Sequence, residues 1–109
     1  MSLTALRTAK TAHQRALEAM HPGTITLAGR NYTGAVQVDA VQVRQNAEGT
    51  GLQRLQSLSA SVLKTRLISP PAIGDTLTFD DITWRIGDVA GHDPCEVAWQ
   101  INARRFLTA

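Results

Sequence analysis

The chain has 109 residues and a mass of 11.8 kDa, which is enough for one compact domain and too little for two. Hydrophobic residues make up 43% of it, which argues against a chain that is disordered over its whole length. No apolar run approaches the length of about 18 residues that a membrane span needs. The net charge of +2 is too small to be a signature of nucleic-acid binding.

Residues 2–20 have the apolar period of an amphipathic helix, so residues 1–22 are predicted to form an N-terminal helical segment. Five alanines fall in one narrow stripe of this helix, and Leu6, Leu17 and Met20 widen the stripe into an apolar face. The alanines are Ala5, Ala9, Ala12, Ala16 and Ala19. Because small side chains let another backbone approach closely, we expect this face to be covered by the sheet or by a neighbouring subunit.

The middle of the chain changes to a two-residue alternation, which predicts strands. An extended run follows a turn at 28–31, with Val36 and Val38 on one face. Residues 45–56 are predicted to form a long polar loop, with a short helical turn allowed at its end by the spacing of the leucines. Residues 59–68 return to a strand.

The last third has the clearest alternation and predicts an antiparallel meander with one apolar face. Asp80 and Asp81 mark a tight hairpin between two of its strands. Residues 23–109 are therefore expected to form one mainly β domain, a small antiparallel β-barrel or sandwich behind the helix. The expected core consists of Val36, Val38, Leu77, Phe79, Ile82, Trp84, Ile86, Val97, Trp99 and Ile101.

Charge is distributed unevenly along the chain. Residues 1–20 have a net charge of +2, residues 21–69 of +3 and residues 70–109 of −3. A molecule polarised in this way is suited to packing against copies of itself or against complementary partners.

The residue types that carry catalysis or bind metals do not form a recognisable pattern. There is no phosphate-binding glycine loop and no Gly-x-Ser-x-Gly motif, and His13, His21 and His92 share no metal-ligand spacing. Cys95 is the only cysteine, which excludes an intramolecular disulfide and a cysteine-based zinc cage. We predict no catalytic residues, no metal and no cofactor, and hence a protein that is not an enzyme. His13 lies in the apolar face of the helix and is expected to be partly buried.

Three short motifs resemble those of the head–tail joining, or tail-attachment, proteins of lambdoid bacteriophages. They are Tyr-Thr-Gly-Ala-Val at 32–36, Ser-Val-Leu-Lys-Thr-Arg at 61–66, and Ile-Gly-Asp-Thr-Leu-Thr-Phe at 73–79 followed by Ile-Thr-Trp-Arg-Ile at 82–86. The resemblance covers roughly residues 24–103, and the family also has a helical arm before its β domain. The sequence departs from the family in its longer polar loop at 45–56.

The resemblance implies a structural virion protein that forms a ring, commonly of six or twelve copies, at the head–tail neck. Its partners would be copies of itself, the portal or connector side of the head, and the terminator or tube side of the tail. DNA would pass through the channel without sequence-specific binding, no membrane would be involved, and assembly would take place in the bacterial cytoplasm. Two alternatives remain: a tail terminator or completion protein, and a small nucleic-acid-binding β-barrel.

The predicted loop supplies the candidate partner-binding residues. A loop of this length in a compact domain is usually functional or disordered. We expect Leu52 and Leu55 to be apolar anchors for a neighbouring ring and Arg54 to make a charged contact at the rim.

Overall fold

The computed structural model describes residues 3–45 and 52–107. Across these ranges the chain forms one helix followed by seven strands. The elements are α1 (Leu3–Met20), β1 (Pro22–Leu27), β2 (Arg30–Val38), β3 (Gln42–Gln45), β4 (Leu52–Leu63), β5 (Thr76–Phe79), β6 (Ile82–Ala90) and β7 (Ala98–Leu107). The prediction of a mainly β fold with an N-terminal helix is confirmed.

Six of the strands close into an antiparallel barrel. The strand order in the sheet is β2-β1-β5-β6-β7-β4-β3, and the barrel closes where residues 35–38 of β2 pair with residues 58–61 of β4. The longest ladder joins residues 54–63 of β4 to residues 98–107 of β7. Closure removes the free edges that an open sheet of these strands would expose.

Two tight turns connect neighbouring strands of the barrel. Ala28 and Gly29 between β1 and β2 have φ of 50° and 80°, and Asp80 and Asp81 between β5 and β6 have φ of 55° and 62°. Positive φ at both central residues is the geometry that matches the right-handed twist of a hairpin. The predicted hairpin at Asp80 and Asp81 is confirmed.

The barrel interior contains most of the predicted core. Six of the ten predicted residues belong to the buried cluster, namely Val36, Leu77, Trp84, Ile86, Trp99 and Ile101, and Phe79 and Ile82 pack against it partly buried. Val97 is half-buried in the turn before β7. Val38 is 42% exposed, so its prediction as a core residue is wrong. It is the last residue of β2, where the strand leaves the barrel.

The two tryptophans lie toward opposite ends of the barrel, each with a cation over its ring. Arg105 lies 5.1 Å from the ring centre of Trp84, and Lys64 lies 4.4 Å from that of Trp99. The Trp99 indole N–H donates to the Leu67 carbonyl at 2.8 Å. The cationic groups thus cover aromatic faces while their charged ends stay at the barrel rim.

The helix packs on the barrel through a face centred on Gln14, with Leu6 and Leu17 of the predicted face half-buried beside it, and the predicted alanine stripe points away from the sheet. All five alanines of the stripe, and His13 beside them, are exposed. Gln14 is instead buried and donates to the Ser61 carbonyl at 2.8 Å. Ion pairs of Lys10 with Glu96 and of Glu18 with Arg66 hold the same side of the helix. Hydrogen bonds and ion pairs to the barrel therefore decide which face of this helix is covered.

Residues 52–56 belong to a strand, so their prediction as part of a long loop with a helical turn is wrong. Residues 42–45 pair antiparallel with residues 52–55, because β-ladder pairing overrides the helical spacing of the leucines. Residues 46–51, the remainder of the predicted loop, lie outside the described residues. No helix in the described ranges combines the length and apolar character of a membrane span.

The strand β3, residues 52–55 of β4 and residues 106 and 107 of β7 form a three-stranded extension of the barrel, which we call the arm. These residues are paired only within the arm, beyond the ladders that close the barrel. The molecule is correspondingly elongated, with extents of 54 × 28 × 25 Å and a radius of gyration of 15.6 Å. A compact domain of this length would have a radius of about 13 Å.

Candidate functional site

The three predicted partner-binding residues lie together on β4 in the arm, but not on one face. Leu52 is 72% exposed and Arg54 is also exposed, and strand alternation places them on the same side. Leu55 points to the other side and is only 4% exposed. Leu55 is therefore part of the packed structure, and the expectation that it is a surface anchor is wrong.

The arm carries several exposed large apolar side chains. Val43 pairs with Arg54 in the sheet, and Val43, Leu52 and Phe106 each expose more than half of their surface. The strand β3 stands at the end of the strand order, so its outer edge has no partner among the described residues. Exposed apolar side chains beside an open strand edge are typical of a surface that another chain covers.

A basic cleft lies at the base of the arm, on the outer face of the barrel. Thr76, Arg85 and Arg104 form one row across three strands, because Thr76 pairs with Arg85 and Arg85 pairs with Arg104. With Thr83 and Phe106 they line the outward side of a cleft of about 400 Å³, whose lining also includes Trp84 and Arg105. We call the five outward residues the arginine cleft.

The two arginines of this cleft are like charges directly opposite each other in neighbouring strands. Their Cα atoms are therefore separated by about 4.5–5.5 Å, a pairing that is destabilising without a counter-ion. Neither Arg85 nor Arg104 makes an ion pair with any described residue. The guanidinium of Arg104 lies 5.9 Å from the ring centre of Phe106. The cleft thus presents two uncompensated cations to solvent.

Arg105, the next residue along β7, has a different environment because it points toward the barrel interior. Its Nε and Nη2 both donate to the Gln56 side-chain oxygen, at 3.1 and 2.8 Å, and its guanidinium covers Trp84. The Arg105 side chain therefore covers this end of the barrel interior, whereas the Arg104 side chain is exposed on the surface.

The turn between β6 and β7 holds His92 and Cys95, two of the residues considered for metal binding. His92 packs edge-on against Trp99, with ring centres 5.2 Å apart. The Asp93 carboxylate accepts the Cys95 N–H at 2.8 Å, and this hydrogen bond is the main cause that lowers the pKa of Asp93. The hydrogen bond to Glu96 raises the pKa of Lys10. Each of these contacts is a structural contact of the turn.

Another cleft, of about 420 Å³, lies between the hairpin of β1 and β2 and the two consecutive prolines, Pro70 and Pro71. Asp75 is its one acidic residue, and the Asp75 carboxylate accepts the Ala72 N–H at 3.2 Å. Over residues 3–45 and 52–107, no three His, Cys, Asp or Glu side chains come together as a metal-holding group. The surface features that stand out are the arm and the arginine cleft.

Compared with known proteins, the sequence matches no family model and no curated protein significantly. Sequence reasoning placed Leu52 and Arg54 on the surface, although in a loop and together with Leu55, and it missed the arginine cleft. The outward positions of Arg85 and Arg104 follow from the alternation of their strands. Their juxtaposition depends on the register of β6 against β7, which includes a bulge between Ile86 and Asp88.

Proposed function

We propose that the protein is a structural subunit of a tailed-phage virion. It assembles with copies of itself into a ring of six or twelve at the neck, between the head connector and the tail. The proposal combines the motif resemblance with a surface that is incomplete in the single chain. The observation that carries it is the arm, which extends beyond a closed barrel and leaves apolar side chains exposed.

The arm is suited to a contact between subunits for a physical reason. A strand edge offers backbone hydrogen bonds to another chain, and the apolar side chains beside it supply burial. Val43 and Leu52 lie on one face of the arm, and Phe106, which pairs with Leu55, lies on the other. Burying either face against a neighbour would remove apolar surface at a gain of roughly 25 cal/mol per Å². The barrel supplies the rigid body that positions this contact.

The distribution of charge supports the same proposal. The unpaired arginines of the arginine cleft lie near the exposed Asp80 and Asp81 on the same subunit. Surfaces of both signs on one chain favour association between identical copies, because every copy can both supply and accept a charge.

The test is complementation of particles that lack the protein. Such particles are expected to accumulate as filled heads and separate tails, and wild-type protein is expected to restore joining. Leu52→Glu in the arm should fail to restore joining. Ile68→Glu is the matched control, because Ile68 is an equally exposed apolar residue away from the arm. Normal yields of joined particles without the protein would overturn the proposal.

A further inference from the structure

We propose that the arginine cleft binds the Asp80–Asp81 turn of a second copy of this chain. This rests on the self-association in the proposed function and identifies one contact that would make it. The cleft is concave, basic and unpaired, and the turn is convex, acidic and unpaired. The two surfaces lie close together on one subunit without pairing with each other.

The backbone conformation of this turn is unfavourable for the two aspartates that form it. Asp80 and Asp81 both adopt positive φ, of 55° and 62°, a conformation that an Asn-Gly pair adopts much more easily. Both are exposed, and neither carboxylate makes a hydrogen bond or ion pair with a described residue. Two adjacent carboxylates therefore stand at the tip of the hairpin without a described partner on their own subunit. Strain of this kind, kept at an exposed tip, motivates a functional interpretation.

The turn cannot occupy the cleft of its own subunit. Asp81 and Arg85 are four residues apart along an extended strand, which separates their Cα atoms by roughly 13 Å. The strand β6 pairs with β5 over residues 82–85 and with β7 from Arg85 onward, so this part of the chain is held extended. In this proposal the turn that neutralises Arg85 and Arg104 therefore belongs to another molecule.

A carboxylate pair matches the chemistry of the cleft. A guanidinium binds a carboxylate through two parallel N–H donors, and the hydroxyls of Thr76 and Thr83 are further donors. The cleft volume of about 400 Å³ accommodates the tip of a two-residue turn. Each copy carries both the turn and the cleft, so the contact either closes reciprocally in a pair or continues around a ring.

A nucleic-acid strand fits this cleft less well. Binding of single strands relies on successive aromatic platforms along a basic groove. Phe106 is the one exposed Phe, Tyr or Trp ring in the described part of the chain, and Arg104 already lies over it. We therefore assign the cleft to the acidic turn and treat oligonucleotide binding as a contrary outcome.

The test uses two charge-reversal variants of the full chain. One carries Asp80→Lys with Asp81→Lys, and the other carries Arg85→Glu with Arg104→Glu. Sedimentation velocity over a concentration series should show self-association of the wild type that weakens between about 0.02 M and about 1 M salt. Each variant alone should lose that association, because the turn and the cleft then carry the same sign. An equimolar mixture of the two should recover it, because every contact again joins opposite charges.

Two further variants separate loss of the contact from loss of the fold. Asp80→Asn with Asp81→Gly relaxes the strained turn, so its thermal midpoint should rise while its association is lost. Arg15→Glu with Arg30→Glu reverses two exposed arginines away from the cleft and should associate like the wild type.

Four outcomes would overturn the inference. The first is a wild type that stays monomeric at every concentration, and the second is a mixture that does not recover association. The third is a labelled oligo-dT strand that binds the wild type and not the Arg85→Glu, Arg104→Glu variant. The fourth is a wild type that associates together with charge variants that associate equally, in which case this contact is wrong while the proposed ring stands. Joined particles in the absence of the protein would instead overturn the ring itself.

Discussion

The barrel and the arm share the strands β4 and β7, yet they treat apolar side chains in opposite ways. Within the barrel, Leu58 and Ile101 on these strands are fully buried. A few residues along the same strands, Leu52 and Phe106 are mostly exposed. The difference lies in closure: side chains of the barrel meet those of the opposite wall, whereas Leu52 and Phe106 lie beyond the β2–β4 pairing that closes the barrel. Leu55 is the exception in the arm, because it is buried. One strand can therefore carry buried apolar side chains at one end and mostly exposed ones at the other.

The largest expected effect comes from removing a side chain on which the barrel is built. Trp84 is 1% exposed and belongs to the core cluster, so Trp84→Ala should lower the free energy of unfolding by about 3–5 kcal/mol. Leu52→Ala in the arm should change it by less than about 0.5 kcal/mol. Urea denaturation measures both. Similar losses at the two positions would show that the arm is packed as tightly as the barrel.

A smaller loss of stability is expected from a substitution where β2 pairs with β4 to close the barrel. A Cβ added to Gly34 would lie 2.3 Å from the Ser61 carbonyl oxygen and 3.0 Å from a methyl carbon of Val62. Gly34→Ala should therefore push β2 away from β4 and cost about 1–3 kcal/mol. Gly87→Ala is the matched control on β6, since its nearest neighbour would be the Asn102 carbonyl oxygen at 3.9 Å. Equal stability of the two variants would mean that this closure tolerates a side chain.

The contact between the helix and the barrel should contribute less to the free energy of unfolding than the closure of the barrel does. Gln14→Ala removes a buried hydrogen bond to the Ser61 carbonyl and should cost about 1–2 kcal/mol. His13→Ala, one residue along on the exposed face, should change stability by less than about 0.5 kcal/mol. The opposite ranking would indicate that the alanine face is the one that packs on the barrel.

The alternation of the last third correctly placed Trp84, Ile86 and Ile101 in the core, because one apolar face of a meander has to be buried. Turn chemistry correctly placed the hairpin at Asp80 and Asp81. Of the two covers expected for the alanine stripe of the helix, the sheet is wrong, because alanine favours helix formation without needing burial, and cover by a neighbouring subunit stays a prediction. The face that the helix turns to the barrel depends on distant partners such as Ser61, which no local pattern contains.

The arm and the cleft were harder to predict. Leu52 and Leu55 have helical spacing, yet their pairing with residues 42–45 makes them a strand and separates them onto two faces. Whether Leu52 is exposed depends on where the barrel ends, which is set by the β2–β4 closure farther along the same strand. The cleft depends on the register between two strands. Local patterns thus predict which residues are extended, and long-range pairing decides which of them remain uncovered.

The smallest expected effect concerns pH and the turn before β7, toward the end of the barrel away from the arm. The hydrogen bond from the Cys95 N–H lowers the pKa of Asp93 below its ordinary value of 3.8. Its ionised form is therefore favoured in the folded chain, so Asp93 stabilises the fold above pH 3.8, and this contribution is lost as the pH falls through the lowered pKa. Asp93→Asn should accordingly be less stable than wild type at neutral pH, and the difference should shrink in acid. The control is Asp88→Asn, an exposed carboxylate without a hydrogen bond among the described residues. A gap between Asp93→Asn and wild type that stays constant from neutral pH to pH 3, measured by thermal denaturation, would show that the turn does not depend on this charge.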